Sequence, residues 1–527
     1  MRAAYLAFGI AAILVLMTVA CSGSRYARDA DREVAEILDV RTLEVLGARK
    51  DHVIRPRKLS EGENAKVAEF ASNKPMIRVD LNKALQTAVQ FNRGYLSRKE
   101  SLFLSGLGFS LTRFNFGPLV SSTISYIYND SEAAVGAHNS SANFNVSQIL
   151  PTGGTLSFTS SVSGTWPEGG ISSGQNSFGS SAGVALSQPL LRGFGYEVSH
   201  ESLTQAQRSL VYDIRDFELF REDFSIMVAR NYFDLVGQKE TLANEEKRYD
   251  EAELDRKKAV AIRSVDRATD QDVFLAQRRA IDSENSVINA RADYDRAVDE
   301  FKITLGLPLE QKIIIVDAQP PFESVRLDVE SAVKAAQHNR LDIHTTRDQL
   351  QDAIRALRIS EDGLRPDLNL DVSAGLGGSD TTFGRSLKDD YSYSAGISLT
   401  IPLQQKAARN SYRSTLLSLE QSKRNLTLTL DRLSLSIRDQ IRQLQSQESR
   451  IELQGQQITQ EMRAVAVSQI RYEAGELDNR DLLDARQALI DAENQLIRLK
   501  VQHFIGRLQL LRDLGLLFID KQGKWVE

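Results

Sequence analysis

The side chains of this 527-residue chain that could do covalent or metal chemistry are few and poorly placed for it. The single cysteine, Cys21, can form neither an intramolecular disulfide nor a Cys-rich zinc site. The six histidines are scattered, with no HExxH or similar ligand spacing. There is no GxSxG, no P-loop and no GxGxxG opening a helix. The pattern predicts no enzyme, no cofactor, no catalytic residue and no metal site. The net charge of -5 is small for this length and argues against nucleic acid as a partner. Charged residues make up 26% and aromatics 7%, a balance that suits long solvated helices better than several compact cores. Only 11 prolines occur, so long uninterrupted helices are permitted.

Cys21 gains meaning from what precedes it. Residues 1–20 read MRAAYLAFGIAAILVLMTVA: a basic Arg2, then an apolar run from Ala3 to Ala20 that ends in small or β-branched residues. This predicts a secretory signal with a small-residue cleavage site. An ordinary cleaved signal or an uncleaved anchor are the other readings of such a run. The stretch resembles a bacterial lipoprotein signal, with its only cysteine at the cleavage point. That resemblance implies lipid attachment at Cys21, and Ser22 after it implies sorting to the outer membrane. One acyl chain anchors only marginally, so further chains or a further membrane element are required.

The elements come in two copies. The segment 269-TDQDVFLAQRRAIDSENSVINA-290 matches 478-DNRDLLDARQALIDAENQLIRL-499 at a constant offset of 209. The same offset carries Leu305-Gly306-Leu307 onto Leu514-Gly515-Leu516, and 80-DLNKALQTA-88 resembles 328-DVESAVKAA-336. The expected organisation is a signal peptide over 1–20, an N-terminal arm over 21–77, a first helix–strand–helix repeat over 78–307, a Pro-punctuated linker over 308–327, a second repeat over 328–517 and a tail over 518–527. Strands are expected within 114–191 and 366–403, where apolar and polar residues alternate with period two: Leu368, Leu370, Val372, Ala374 and Leu376 against Asn369, Asp371 and Ser373. Runs of about ten residues suit a tilted strand crossing a membrane, and alternate equally in a soluble sandwich.

Long helices are expected over 197–262 and 404–474. Leu203, Leu210, Phe217 and Phe224 recur every seven residues, as do Leu430, Ile437, Leu444, Ile451, Ile458 and Val465. Each would be roughly 100 Å long at 1.5 Å per residue. Shorter helices are expected over 81–113, 269–303, 328–364 and 478–514, and each pair sums to about one long helix. Four such columns cannot fully bury a narrow apolar stripe, so association with further copies is expected.

The duplicated order, 472-YEAGELDNRDLLDA-485, 187-SQPLL-191 with 400-TIPL-403, and the Leu-Gly-Leu ends together resemble the TolC-like outer-membrane efflux proteins. The resemblance covers about 78–517. It implies an α+β membrane protein: a trimeric transmembrane β-barrel continuous with a long periplasmic α-helical barrel, built from two internal helix–strand–helix repeats. It implies an exit duct of a tripartite efflux or type I secretion system, passively exporting small molecules or proteins. The implied partners are two further copies, a periplasmic adaptor (membrane fusion protein), an inner-membrane transporter and outer-membrane lipid. The extra run 141–164, with its turn 151-PTGG-154, departs from four strands per chain and leaves the strand number open.

The same resemblance assigns sites. The turn 474-AGELDN-479 becomes the periplasmic tip, with Gly475, Glu476 and Leu477 as adaptor-docking residues. Asp481 and Asp484 become pore-constriction residues, a carboxylate ring favouring cations. Asp481 and its counterpart Asp272 stand three residues after the candidate caps Asp478 and Thr269, where a helix dipole favours a carboxylate in any case. Asp484 corresponds to Leu275 and has no such structural reason. Arg263 and Arg471 are candidates for pairing across a closed tip. The alternative functions are a periplasmic adaptor, which would show one hairpin beside a lipoyl-like β-domain, and a coiled-coil tether without a channel.

Overall fold

The computed structural model describes residues 23–47, 76–131, 134–167, 175–266, 269–316, 320–382, 386, 390–474, 476–477, 479–520, 523 and 525–526. The signal segment, Cys21, Gly475 and Asp478 lie outside the described residues. The first half of the chain runs α1 (Gly23–Leu46), β1 (Ile77–Val79), α2 (Leu81–Phe91), α3 (Arg93–Asn115), β2 (Leu119–Ser131), β3 (Ala134–Ile149), β4 (Thr155–Pro167), β5 (Ser177–Pro189), α4 (Tyr196–Ser199), α5 (Glu201–Arg263) and α6 (Asp270–Leu305). The second half runs β6 (Ile313–Ile315), α7 (Val329–Asn339), α8 (Leu341–Asp362), β7 (Asp367–Asp380), β8 (Asp390–Thr400), α9 (Lys406–Glu473), α10 (Asn479–Asp513), β9 (Phe518–Ile519) and β10 (Trp525–Val526). These elements form two compact units, each drawn from three stretches of chain.

One unit comprises Met1–Ile54, Leu102–Ile214 and Thr345–Thr427. It holds a six-stranded antiparallel sheet in the order β2-β3-β4-β5-β7-β8. The run 141–164 supplies parts of β3 and β4, so the sheet has six strands rather than four. The turn between them uses Gly153 at φ 90°, a conformation that favours glycine.

Register aligns apolar residues into rows on one face of the sheet. Ile124, Ala142 and Val162 lie in one row, and Val120, Val146, Phe158, Val184, Ala374 and Tyr393 in another. Many of these side chains are exposed, Tyr393 to 82%. The opposite face is mostly Ser, Thr, Asn and Gly, cross-linked by Ser125–Ser141 at 2.7 Å, Ser161–Ser181 at 2.7 Å and Ser373–Ser394 at 2.8 Å. Period-two patterning therefore wins over any slip, because a shift by one residue would exchange the faces.

In the same unit α1 packs on α3. Val34 and Leu38 lie over Gly106, where a Cβ would approach Val34 Cγ1 to 2.7 Å. Ser110 donates to Glu33 at 2.7 Å. Between α5 and α8, Arg208 pairs with Asp348 at 3.3 Å and with Asp352 at 2.5 Å, and Arg355 pairs with Glu201 at 3.1 Å. Tyr212 donates to Asp352 at 2.6 Å; burial and that carboxylate push its phenol up to about 12.

The other unit comprises Arg55–Ser101, Arg215–His344 and Leu428–Glu527. Its heptad positions are the core: Phe217, Phe224, Val228 and Leu235 of α5, and Ile437, Ile441 and Leu444 of α9 with Leu510 of α10 and Leu514 just after it. Further along α9, Ile451, Ile458 and Val465 are only half-buried. β1 pairs with β6 in parallel, and β9 with β10 antiparallel.

Each expected short helix at the start of a repeat is broken once. Asn92 separates α2 from α3 and Arg340 separates α7 from α8, both with extended backbone at ψ near 124°. Asn92 accepts from Tyr95 N at 2.8 Å, capping α3, and donates to Thr304 O at 2.8 Å. Arg340 pairs with Asp342 at 2.8 Å and with Asp513 at 3.0 Å. The glycines of the two Leu-Gly-Leu ends sit against these breaks. Gly306 (φ 73°) lies on the Phe91 carbonyl and Gly515 (φ 68°) on Asn339, where a Cβ would meet Asn339 Cβ at 2.8 Å. Asp80 and Asp328 cap the helices that lead into the breaks, accepting from Lys83 N at 2.6 Å and Ser331 N at 2.9 Å.

Candidate functional site at the helix turns

Two turns, both in the second unit, carry the residues singled out by the sequence. In the first, α5 ends at Arg263 and α6 begins at Asp270. Thr269 and Asp272 form a reciprocal capping box: Thr269 Oγ1 accepts from Asp272 N at 3.2 Å, and Asp272 accepts from Thr269 N at 2.9 Å. Thr269 Oγ1 also donates to the Asp272 carboxylate at 2.7 Å, and this bond, with that from the Thr269 amide, holds the carboxyl below the usual carboxylate range. Arg263 lies within its own turn, paired with Asp266 at 2.7 Å and Asp270 at 2.8 Å, and its guanidinium holds the Asp270 carboxyl down as well. Asp266 takes a left-handed φ of 55° to make the turn.

In the second turn, α9 closes with Ala474 N donating to Ile470 O at 3.0 Å and Glu476 N to Arg471 O at 2.9 Å. The longer of these bonds in sequence is the six-to-one link of a Schellman ending. Glu476 is exposed and Leu477 half-buried. Asp481 and Asp484 are both exposed on the first turns of α10. Asp484 faces Arg480 at 3.8 Å, with both side chains mostly in solvent, so this pair is worth little. Asp484 also lines a groove of about 260 Å³ with Arg248, Glu251, Arg279, Asp282 and Arg486. Asp481 is not among the residues lining that groove. The structure thus separates the two aspartates: one borders other charged groups, the other stands at the helix start.

Sequence reasoning missed the ties behind this groove. Arg248 of α5 donates to Gln487 of α10 at 2.8 Å, Arg486 of α10 pairs with Glu251 of α5 at 3.4 Å, and Asn244 donates to Asn494 at 2.6 Å. Arg486 also donates to Gln469 of α9 at 2.8 Å. The residues buried between these helices are small or few: Ala252, Ala276, Ala280, Ser283, Leu482 and Ile490. The helices near the turns are therefore joined by exchangeable polar bonds over a thin apolar seam. The repeat of Glu284-Asn285 as Glu493-Asn494 is the one sequence signal that pointed there. Among the described residues, no group of three or more His, Cys, Asp or Glu is placed to hold a metal ion, and no helix is long and apolar enough to cross a membrane.

Residues 332–516 match the family model of the outer membrane efflux proteins. Over 260 residues, 44% of this chain, the sequence is 24% identical to outer membrane protein TolC of Salmonella enteritidis, and that match spans about half, 51%, of the relative's length. The fold is similar to that of CusC, with a TM-score of 0.62 at 12% identity over 85% of this chain and 96% of that one. It is similar to the CmeC outer membrane channel of Campylobacter jejuni, with a TM-score of 0.62 at 14% identity over 82% and 85% of the two chains. It is also similar to the MtrE outer membrane channel of Neisseria gonorrhoeae, with a TM-score of 0.59 at 13% identity over 84% and 90%. The second repeat thus matches the model of the outer membrane efflux proteins, and the fold over more than four fifths of the chain is similar to that of solved outer membrane channels.

Proposed function

We propose that the protein is a passive exit duct of the outer membrane. Three copies share one β-barrel, and their helices line a periplasmic tunnel. The observation that carries this reading is the six-stranded sheet, with apolar rows on one face, a hydroxyl-rich opposite face, and β2 and β8 as its edges. Lipid does not tolerate open edges, because unpaired backbone groups cannot be hydrated there. Pairing β8 of one copy with β2 of the next removes both edges, and three six-stranded sheets close into about eighteen strands, with the polar face lining the lumen. The adaptor alternative calls for one hairpin beside a lipoyl-like domain, whereas both repeats here contribute strands to one meander.

In this reading Asp481 and Asp484 ring the periplasmic entrance, and the turn bearing Gly475, Glu476 and Leu477 receives a periplasmic adaptor that couples the duct to an inner-membrane transporter. Cys21 carries lipid that supplements the barrel as an anchor. Opening is a movement of the turn-bearing helices, and the polar ties between α5, α9 and α10 can exchange partners as the helices move. Energy and cargo choice come from the partners.

Conductance across planar bilayers tests the duct. The purified protein is expected to give low-conductance, cation-preferring channels. Replacing Asp481 and Asp484 with Ala should raise conductance and weaken both the cation preference and any block by divalent ions. A trimer that never conducts, even with both aspartates replaced, would sink the reading.

A further inference from the structure

On α5 the exposed side chains Asp223, Met227, Arg230, Asp234 and Gln238 fall three or four residues apart, which makes them one stripe along the helix. The offset of 209 carries Asp234 and Gln238 onto Gln443 and Gln447 of α9. Residues of both stripes, with Gln502 and Gln509 of α10, line one continuous groove. Its three parts have volumes of about 310, 360 and 350 Å³. On the α5 side the groove extends from Asp223 to Thr241. That is roughly 27 Å at 1.5 Å per residue, the reach of about eight extended residues. The linker covers a different side of α9 and α10. There Val325 N donates to Glu448 at 2.7 Å, Arg507 pairs with Glu323 at 2.5 Å, and Phe322 lies against His503. Among the described residues, none from the linker lines the groove.

We infer that this groove is a contact for the backbone of an extended, uncharged stretch of polypeptide. Its charges cancel, with Asp223, Asp234 and Asp513 against Arg230, Arg498 and Arg512, so it has no preference for an ion. What remains is carboxamide, from Gln and Asn of all three helices. A carboxamide carries the same acceptor and donor groups as a peptide bond, so it can accept a backbone N–H and donate to a backbone carbonyl. Gln440 Oε1, Gln447 Oε1 and Arg512 Nε are buried with no hydrogen-bond partner among the described residues. Buried polar atoms are costly to leave unpaired, and a ligand's own donors and acceptors would satisfy these. A sugar chain fits less well, because the apolar faces of sugar rings seek an exposed aromatic ring, and the Phe233 ring in the lining is only 2% exposed. This inference rests on the duct reading and names a class of cargo for it. A Pro-punctuated linker would obstruct a passage, so the side of the helices that it leaves open is the side that cargo meets. Peptide bonds are common to every sequence, so the groove guides a chain without choosing it. Hydrogen bonds that exchange with water suit that task, since conduction requires contacts that release as readily as they form.

The test places a photo-reactive benzoylphenylalanine at Gln443 in the full-length protein purified from membranes. The probe is a biotinylated, unstructured peptide of about twelve residues, made of Gly, Ser and Asn. Illumination should transfer biotin to the protein. Excess unlabelled peptide should abolish the transfer, and maltodextrin of similar length should not. The same photo-reactive group at Arg442, outside the groove, should label at least about tenfold less. Adding Gln447→Leu and Gln502→Leu to the Gln443 variant should cut labelling at least about fivefold, with helix content and oligomeric state unchanged. Gln440 is left in place because its amide nitrogen also bonds Asp513. No labelling at Gln443, equal labelling at Arg442, equal displacement by maltodextrin, or labelling undiminished by the two leucines each overturns the peptide contact. Bilayer conductance of the protein without the photo-reactive group keeps the two ideas apart. Channels without peptide labelling remove the groove's role alone, whereas labelling without channels supports the peptide contact and removes the duct.

Discussion

At Asp272 a carboxylate closes a capping box, while its counterpart Asp481 stands exposed at the start of α10. The Thr269 hydroxyl and amide lower the Asp272 pKa in the folded protein. A lowered folded pKa contributes stability that is present above the ordinary carboxylate range and lost as pH falls through the folded value. Amide protection at the start of α6, measured against the intrinsic exchange rate at each pH, should therefore fall as pH drops through and below that range. In Asp272→Asn this pH dependence should vanish; if it persists unchanged, another group is responsible. Thr269→Ala should weaken the same turn by about 1 kcal/mol, read as local exchange, with little change elsewhere. The capping role was legible, because Thr269 and Asp272 are three apart before an apolar-periodic run. The local pairing of Arg263 with Asp266 and Asp270 was not, since it depends on a left-handed Asp266 that no turn glycine announces.

Among the elements, the strands and long helices were legible and the helix breaks were not. Strand faces follow from alternation within a dozen residues, and heptad positions such as Phe217, Phe224, Ile437 and Leu444 are buried as their spacing requires. Asn92 and Arg340 break helices because of partners far along the chain: Thr304 is 212 residues from Asn92, and Asp513 lies near the end of α10. Neither break carries a proline or glycine. The glycines that secure them are Gly306 and Gly515, the middle residues of the Leu-Gly-Leu ends. Gly306→Ala and Gly515→Ala should each destabilise by about 2 kcal/mol or more, from a left-handed backbone and a Cβ driven into the facing break. Thermal or chemical denaturation of the full-length protein would read this. A neutral outcome at both positions would mean that the breaks are not held by these contacts.

For the molecule as a whole, the unequal repeats matter most: the first contributes four strands to the sheet and the second two. The length of 114–191 hinted at the extra pair, but alternation alone could not tell wall strands from a surface flap. That distinction lies in pairing, where β3 and β4 keep the apolar row continuous from β2 to β5. Deleting β3, β4 and their turn should leave β2 antiparallel to β5, because two strands of opposite direction are removed together. The shortened protein is expected to assemble still, with twelve strands by cryo-electron microscopy; a protein that no longer inserts would show that the hairpin is required for more than width. The wider consequence is one of parity. A chain that enters and leaves a sheet on the same side must cross it an even number of times, so such a wall can change girth only by whole hairpins. An insertion of that kind costs one tight turn, such as the one at Gly153, and leaves every helix threaded as before. In the proposed duct, the bore would then change only in steps of two strands per chain, with the helices left as they are.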